Sequence, residues 1–433
     1  MPEHSAKSTI NRMVCILLAA FAIVCLVFPC CAADNKAQSA YIYNIENNLC
    51  VYQENGEKKV PVGSSARLMT GLIACEMLAD KLDETITVKP NMLVPSSNKL
   101  GIKSEETMPL SDLVYGLICS GYDDCANAIA IRISGSVDSF VVLMNEKATQ
   151  LGMTSTKYKS PYAQGSADAV TCASDVAKLA VAASKNNLFL EISSAFKYKL
   201  AATNLSGEVT IYNCNALVSQ RSDPKYYNSA CRGLFSGYEK NIGYSLATLA
   251  LNDDLSYICV ILGATEKDGT VYSYAMASEL IKKVFADFSY STVVDSSEPV
   301  CYVPVSMSDS VDEIQAYPEH DVTLLASADQ LEKSVTSYRL NAASLEAPIE
   351  KGDTVGFLTV TVDSRTVTVK LVAGQSVERS RFLHIMKSIE DFSKGRVFSA
   401  SVCCAIVLTV IAVYVDFKIR TGSSARRRRR RHY

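Results

Sequence analysis

The sequence predicts an α+β fold: a large domain with an antiparallel sheet flanked by helices and a helical subregion, then a small all-β domain and a C-terminal transmembrane helix. Three observations carry this expectation. Strand pairs stand near both ends of the first part of the chain, with helical patterns between them. Pure two-residue alternation follows Ser296, and Val397 to Val415 runs 19 residues without a charge, close to the ~20 that cross a bilayer as a helix.

Residues 1–33 read as a signal peptide. Lys7 and Arg12 precede the apolar run Met13 to Cys31, and the small residues of Cys31-Ala32-Ala33 suit cleavage after Ala33. A retained N-terminal span is the alternative, and Pro29-Cys30-Cys31 lacks the residues usual before a lipidated cysteine. The large domain is assigned to 34–291. Within it, Ala40 to Val62 reads as a hairpin turning at Asn47-Asn48, followed by a buried helix from Leu68 to Leu78. Leu110 to Ile118, Ala126 to Ile133, Val137 to Leu151 and Ala173 to Ser184 read as helices. Tyr244 to Asn252 and Leu255 to Ala264 form strands joined at Asp253-Asp254, beside a strand carrying Phe235, and Tyr274 to Phe288 returns to helix.

The small β domain is assigned to 292–378, with Thr359 to Val362 and Thr366 to Val369 alternating about a turn at Asp363. In 379–394, Phe382, Leu383, Ile385, Met386, Ile389 and Phe392 recur at helical spacing. That is either an amphipathic juxtamembrane helix or a helix packed on its own β domain. The span 397–415 precedes a tail, 416–433, with Lys418, Arg420 and the run Arg426 to Arg431. By the positive-inside rule the tail is cytoplasmic and the large domain lies outside, making this a single-pass protein of the cell membrane. Directly after a span, an arginine run sets topology or meets anionic lipid rather than nucleic acid.

The formal net charge of −2 hides an asymmetry. Without the signal segment and tail, 33 basic residues face 43 acidic ones, near −10, which argues against non-specific binding to nucleic acid. Nine of 15 cysteines fall in the exterior part, an odd number, and no C-x-x-C metal spacing occurs. Cys119 and Cys125 read as free core thiols. The four histidines, His4, His320, His384 and His432, all avoid the large domain, so it holds no Ser-His-Asp triad.

The chemistry-bearing stretch is Gly63-Ser64-Ser65-Ala66-Arg67-Leu68-Met69-Thr70. A serine at a helix start with a lysine three positions on places hydroxyl and amine one turn apart, so a neutral amine takes the hydroxyl proton. Here that position is Arg67, which offers donors but no lone pair. Taken alone, Ser64 and Ser120 would be helix caps and Phe235 a core aromatic.

In order and context, however, these residues resemble penicillin-binding proteins of the D-alanyl-D-alanine carboxypeptidase family, a serine-peptidase group, from about Ala40 to about Phe392. Gly63 to Thr70 is similar to the serine-x-x-lysine motif and Ser120-Gly121-Tyr122-Asp123 to the serine-glycine-asparagine-aspartate segment; Phe235-Ser236-Gly237 stands for lysine-threonine-glycine. Ala347 to Asp353 and Leu371 to Ala373 resemble the family's C-terminal β domain. The resemblance implies a transpeptidase-type domain of the penicillin-binding-protein and β-lactamase kind, no cofactor or metal, and peptidoglycan stem peptide as partner. It also implies catalytic positions at Ser64 and Ser120, with Arg67 at the base position, and substrate-binding positions at Tyr122, Phe235, Ser236 and Gly237. Three family groups are replaced: the base lysine by Arg67, the amide-positioning asparagine by Tyr122, and the carboxylate-binding lysine by Phe235. Two readings follow. One is a catalytically impaired homologue that binds peptidoglycan; the other is an active carboxypeptidase working through a Ser64 acyl-enzyme with an unorthodox base from elsewhere in the fold, for instance Lys240, since Lys58 and Lys59 precede Pro61 in strand or turn and point to solvent.

Overall fold

The computed structural model describes residues 36–163, 168–220 and 223–429. The signal-peptide reading of 1–33 and the last arginines of the tail lie outside the described residues. The chain divides into two compact units, one ending at Asp287 and one beginning at Phe288. The sequence placed this boundary near Thr292, but Thr292 sits inside a strand, Phe288–Val294, that belongs with the second unit.

In the first unit the elements run Ser39–Asn44 (β1), Leu49–Glu54 (β2), Ala66–Leu78 (α1), Leu110–Ile118 (α2), Asp123–Ser134 (α3), Val137–Gln150 (α4), Ala173–Ser184 (α5), Asn187–Ser194 (α6), Cys231–Glu239 (β3), Gly243–Asn252 (β4), Leu255–Ala264 (β5) and Tyr272–Asp287 (α7). The five strands form one antiparallel sheet in the order β2-β1-β5-β4-β3. The first hairpin therefore closes onto the last strand of the unit, and β3 is left as an edge.

Helices cover both faces of this sheet, which explains why β5 is a continuous apolar run rather than an alternating one. Ile258, Val260 and Leu262 join the core shared with α1 and α5. The opposite face sends Tyr257 edge-on against Phe285 of α7 at 5.2 Å. Helix α1 is buried on nearly every side, with Leu68, Met69, Leu72 and Ile73 each at most 2 % exposed. Helices α2, α3, α4 and α6 make up the helical subregion around it. Ser136 caps α4 by accepting from Ser139 N, and Gly135 ends α3 in the left-handed conformation.

The second unit begins with Phe288–Val294 (β6) and continues through Cys301–Ser306 (β7), Glu313–Pro318 (β8), Val322–Ser327 (β9), Val335–Leu340 (β10), Leu345–Glu346 (β11), Thr354–Val362 (β12) and Arg365–Ala373 (β13). Six of these strands order β10-β12-β13-β8-β7-β11, with β6 pairing β9 separately. Alternation puts Leu358, Val360, Val369 and Leu371 into the core, while Thr359 meets Thr368 and Thr361 meets Thr366 outside. Arg381–Lys394 (α8) follows, capped by Ser380. Lys387 reaches Glu346 at 2.8 Å, whereas Phe382, Ile385, Met386, Ile389 and Phe392 are at least half exposed. Of the two arrangements open from sequence, the apolar stripe is thus uncovered rather than packed on the β strands. Arg396–Arg429 (α9) is last. Its stretch Phe398–Arg420 is the one single helix among the described residues long and apolar enough to cross a membrane.

Candidate active site

Ser64 lies in a single 3-10 turn, Gly63–Ser65, that runs directly into α1. Gly63 takes φ +50°, a left-handed value that a side chain would strain. Ser65 Oγ donates to the Val62 carbonyl at 2.5 Å, fixing the entry to the helix. Ser64 is only 1 % exposed, and its Oγ has no hydrogen-bond partner. The wall opposite is β3. A Cβ built at Gly237 would stand 2.5 Å from Ser64 Cβ and 2.7 Å from Ser64 Oγ. Only glycine lets the strand come this close.

At the second position of α1, one turn on from Ser64, Arg67 is 5 % exposed and turned onto acids. Its Nε donates to Asp123 Oδ1 at 2.9 Å, and its Nη2 forms ion pairs with the same oxygen at 2.8 Å and with Glu239 Oε1 at 3.5 Å. Asp123, the first residue of α3, is itself buried and takes a second bond from Ser96 Oγ at 2.5 Å. Burial pushes the Glu239 carboxyl above its ordinary range; the Arg67 charge opposes this shift and the Asp123 charge adds to it. At the position where an acyl-transfer serine needs a proton acceptor there is thus a cation held by two carboxylates.

A cavity of about 360 Å³ opens beside this cluster, lined by Arg67, Ser97, Asn98, Ser120, Cys214, Ser236, Gly237, Tyr238, Tyr244 and Tyr274. Ser120 Oγ donates to the Tyr212 carbonyl at 3.0 Å. Ser236 Oγ meets Tyr274 OH at 2.7 Å, and Tyr274 OH donates to the Cys214 carbonyl at 3.1 Å. Burial raises the Tyr274 phenol to about 12. It also raises the Cys214 thiol, against the pull of Arg67.

Ser120, Ser236, Gly237 and Arg67 therefore share one cavity wall, with Ser64 packed directly behind Gly237. Phe235 does not join them, and Tyr122 stands outside the lining although its side chain reaches Ser120. Phe235 is 6 % exposed within the main core, and Tyr122 packs half-buried against the same core. The reason lies partly in β3. Gly233 and Leu234 together oppose Thr248 where the β3–β4 register shifts, with Leu234 at φ +80°. A bulge of this kind re-aims the residues that follow it. Because side chains alternate, Phe235 and Gly237 share the α1 face; there the glycine meets Ser64 and the phenylalanine fills core. Lys58, Lys59 and Lys240 are exposed, and among the described residues no lysine lines the cavity. Among the described residues no cluster of three or more potential ligands could hold a metal.

Sequence reasoning missed Glu239, Cys214 and the tyrosines 238, 244 and 274. Asp123 stands within the second motif, where sequence alone assigns it no role. A buried arginine requires a counter-charge, and that requirement was the available signal for the acids. Nothing in the spacing announced the tyrosines, which reach the cavity from three separate elements.

The fold and the motif residues gathered along this cavity are those of one family, which comparison with known proteins shows. A family model described as D-alanyl-D-alanine carboxypeptidase matches residues 28–266, more than half of the chain, and one described as penicillin-binding protein 5, C-terminal domain, matches 288–379. The chain belongs to the D-alanyl-D-alanine carboxypeptidase family. It is similar to D-alanyl-D-alanine carboxypeptidase DacF of Bacillus subtilis, 22 % identical over 83 % of this chain and 91 % of the relative. It is also similar to DacA of Escherichia coli, 23 % identical over 80 % and 85 %. Among solved structures, DacD from Francisella tularensis superposes with a TM-score of 0.59 at 18 % identity, covering 79 % of this chain and 94 % of that one. Penicillin-binding protein 5 from Haemophilus influenzae gives 0.56 at 19 %, covering 79 % and 98 %.

Proposed function

We propose that this protein is a membrane-anchored, extracytoplasmic member of the family that binds peptidoglycan stem peptides without hydrolysing them. The observation that carries the reading is Arg67: it occupies the base position, is locked onto Asp123, and leaves Ser64 Oγ with no partner to take its proton. Ser64 keeps its place at the N-terminal end of α1, and Ser120, Ser236 and Gly237 keep theirs along the cavity. What is lost is proton transfer, together with the side chains that the resemblance assigns to amide and carboxylate recognition. Contributions of this type are commonly worth several kcal/mol each to a transition state.

Anchoring rests on Phe398–Arg420 with its basic tail inside, and the exposed apolar stripe of α8 suits the lipid interface beside it. The signal segment supports export of residues 34–394.

The test is release of D-alanine from a pentapeptide by the full-length protein in detergent, with fluorescent penicillin as a second probe. The expected result is neither release nor a covalent adduct, with peptide binding still detectable by saturation-transfer NMR. Release or labelling that disappears in Ser64→Ala would instead make it an active serine carboxypeptidase with an unorthodox base.

A further inference from the structure

A guanidinium carries N–H donors on three nitrogens, and the protein uses those of Arg67 on one edge. Nε gives its proton to Asp123 Oδ1 at 2.9 Å, and Nη2 pairs with the same oxygen at 2.8 Å and with Glu239 Oε1 at 3.5 Å. Nη1 takes no partner among the described residues. Two glycines flank it. A Cβ built at Gly237 would stand 2.9 Å from Nη1 and one built at Gly121 would stand 3.7 Å from it, so bare backbone leaves this nitrogen uncovered where Arg67 and Gly237 line the cavity.

The other donors of the lining are either spent or exposed. Ser120 OH goes to the Tyr212 carbonyl, Tyr274 OH to the Cys214 carbonyl and Tyr244 OH to Glu266 Oε2 at 2.6 Å. Ser97 and Tyr238 line the cavity as exposed residues. An exposed hydroxyl exchanges a bond to water for a bond to ligand, with little net gain. Arg67 differs because it is 5 % exposed and charged. Hydrogen bonds from a cation are the stronger kind, and surroundings of low dielectric strengthen them further.

We infer that Arg67 is a ligand-binding residue of this cleft, its Nη1 edge donating to an acceptor oxygen of the bound peptide, carbonyl or carboxylate alike. The side chain that ends proton transfer at the base position thereby supplies part of the recognition that Phe235 cannot. Asp123, by accepting on the Nε and Nη2 side, leaves Nη1 as the free edge. The inference rests on the stem-peptide reading above and names a residue that holds that ligand.

The experiment titrates an N-acetylated Lys-D-Ala-D-Ala peptide calorimetrically at pH 7 into the full-length protein in detergent, wild type against Arg67→Lys. The ammonium keeps the charge and the pairing with Asp123, but it has no planar fork with which to hold that acid and present a second edge to the cavity. Affinity is expected to fall roughly tenfold, the loss of one hydrogen bond from a charged donor, while scanning calorimetry shows Tm kept within a few degrees. The double replacement Arg67→Met with Asp123→Leu removes the ion pair whole, is expected to lose at least as much affinity, and decides the matter should the single variant not fold. Affinity within about twofold of wild type in either folded variant overturns the inference and leaves the stem-peptide reading standing. Failure of the wild type to bind the peptide overturns the two together.

Discussion

Replacing Asp123 by asparagine isolates the interaction that distinguishes this cleft. Asp123 Oδ1 accepts from Arg67 Nε and pairs with Nη2 at 2.8 Å, its Oδ2 accepts from Ser96 Oγ, and the two side chains of the ion pair are 5 % and 4 % exposed. Asparagine preserves shape and some hydrogen bonding but leaves the guanidinium with Glu239 alone, at 3.5 Å and one-quarter exposed. Breaking a buried pair by removing one partner costs about 3–5 kcal/mol; with Glu239 able to compensate in part, the lower end, about 3 kcal/mol, is expected. For a domain of this size that is a fall in Tm of roughly 6–12 °C. Scanning calorimetry reads it directly, and unfolding of the β unit serves as an internal control. A double replacement, Arg67→Met with Asp123→Leu, removes both charges and should recover most of the loss. A cost below about 1 kcal/mol for Asp123→Asn, or a double variant no better than the single, would refute the view that Arg67 is held as a buried ion pair.

Arg67→Lys alone should give no penicillin adduct in gel fluorescence, because the ammonium inherits Asp123 and stays protonated; labelling would sink that explanation. Phe235→Lys should cost at least about 3 kcal/mol in denaturant unfolding, since it removes a core aromatic and buries a charge, so a near-neutral result would contradict the core placement of this position. Burial, with Asp123 adding and Arg67 opposing, raises the Glu239 carboxyl, so its contribution to stability is present at low pH and lost as pH rises through the folded value. Accordingly the Tm difference between wild type and Glu239→Gln should widen in favour of the variant above about pH 4.3, and a pH-independent difference would be evidence against it. Eleven cysteines among the described residues are unpaired, so denatured protein beginning after Ala33 should titrate eleven thiols with a disulfide reagent, and a lower count would show pairing.

The plan of strands and helices was legible because both periodicities are clean: the β12–β13 alternation, the hairpin of β1 and β2, and the apolar face of α2. The continuous apolar runs of β4 and β5 were also read as strands, although periodicity does not reveal that both their faces are covered. The edge of the β unit was harder to see. Phe288 extends the apolar pattern of α7, and only its pairing with Ser327 of β9 shows that it has left the helix. At the site, local motifs located Ser64, Ser120 and Gly237, which depend on short-range turns. Glu239 and the tyrosines converge from β3, β4 and α7, and such convergence leaves no trace in spacing. The displacement of Phe235 into the core depends on the Leu234 bulge, whose positive φ no leucine advertises.

Consider last the seat of Ser64 behind Gly237. With the Gly237 backbone packed against it, the hydroxyl is shut away from solvent and is not part of the cavity lining. Contact with any reagent must wait for a local movement of its surroundings, of which β3, an edge strand bonded on one side only, is the part packed against it. The rate of that movement therefore sets an upper bound on how fast any reagent can capture the serine, whatever its intrinsic reactivity.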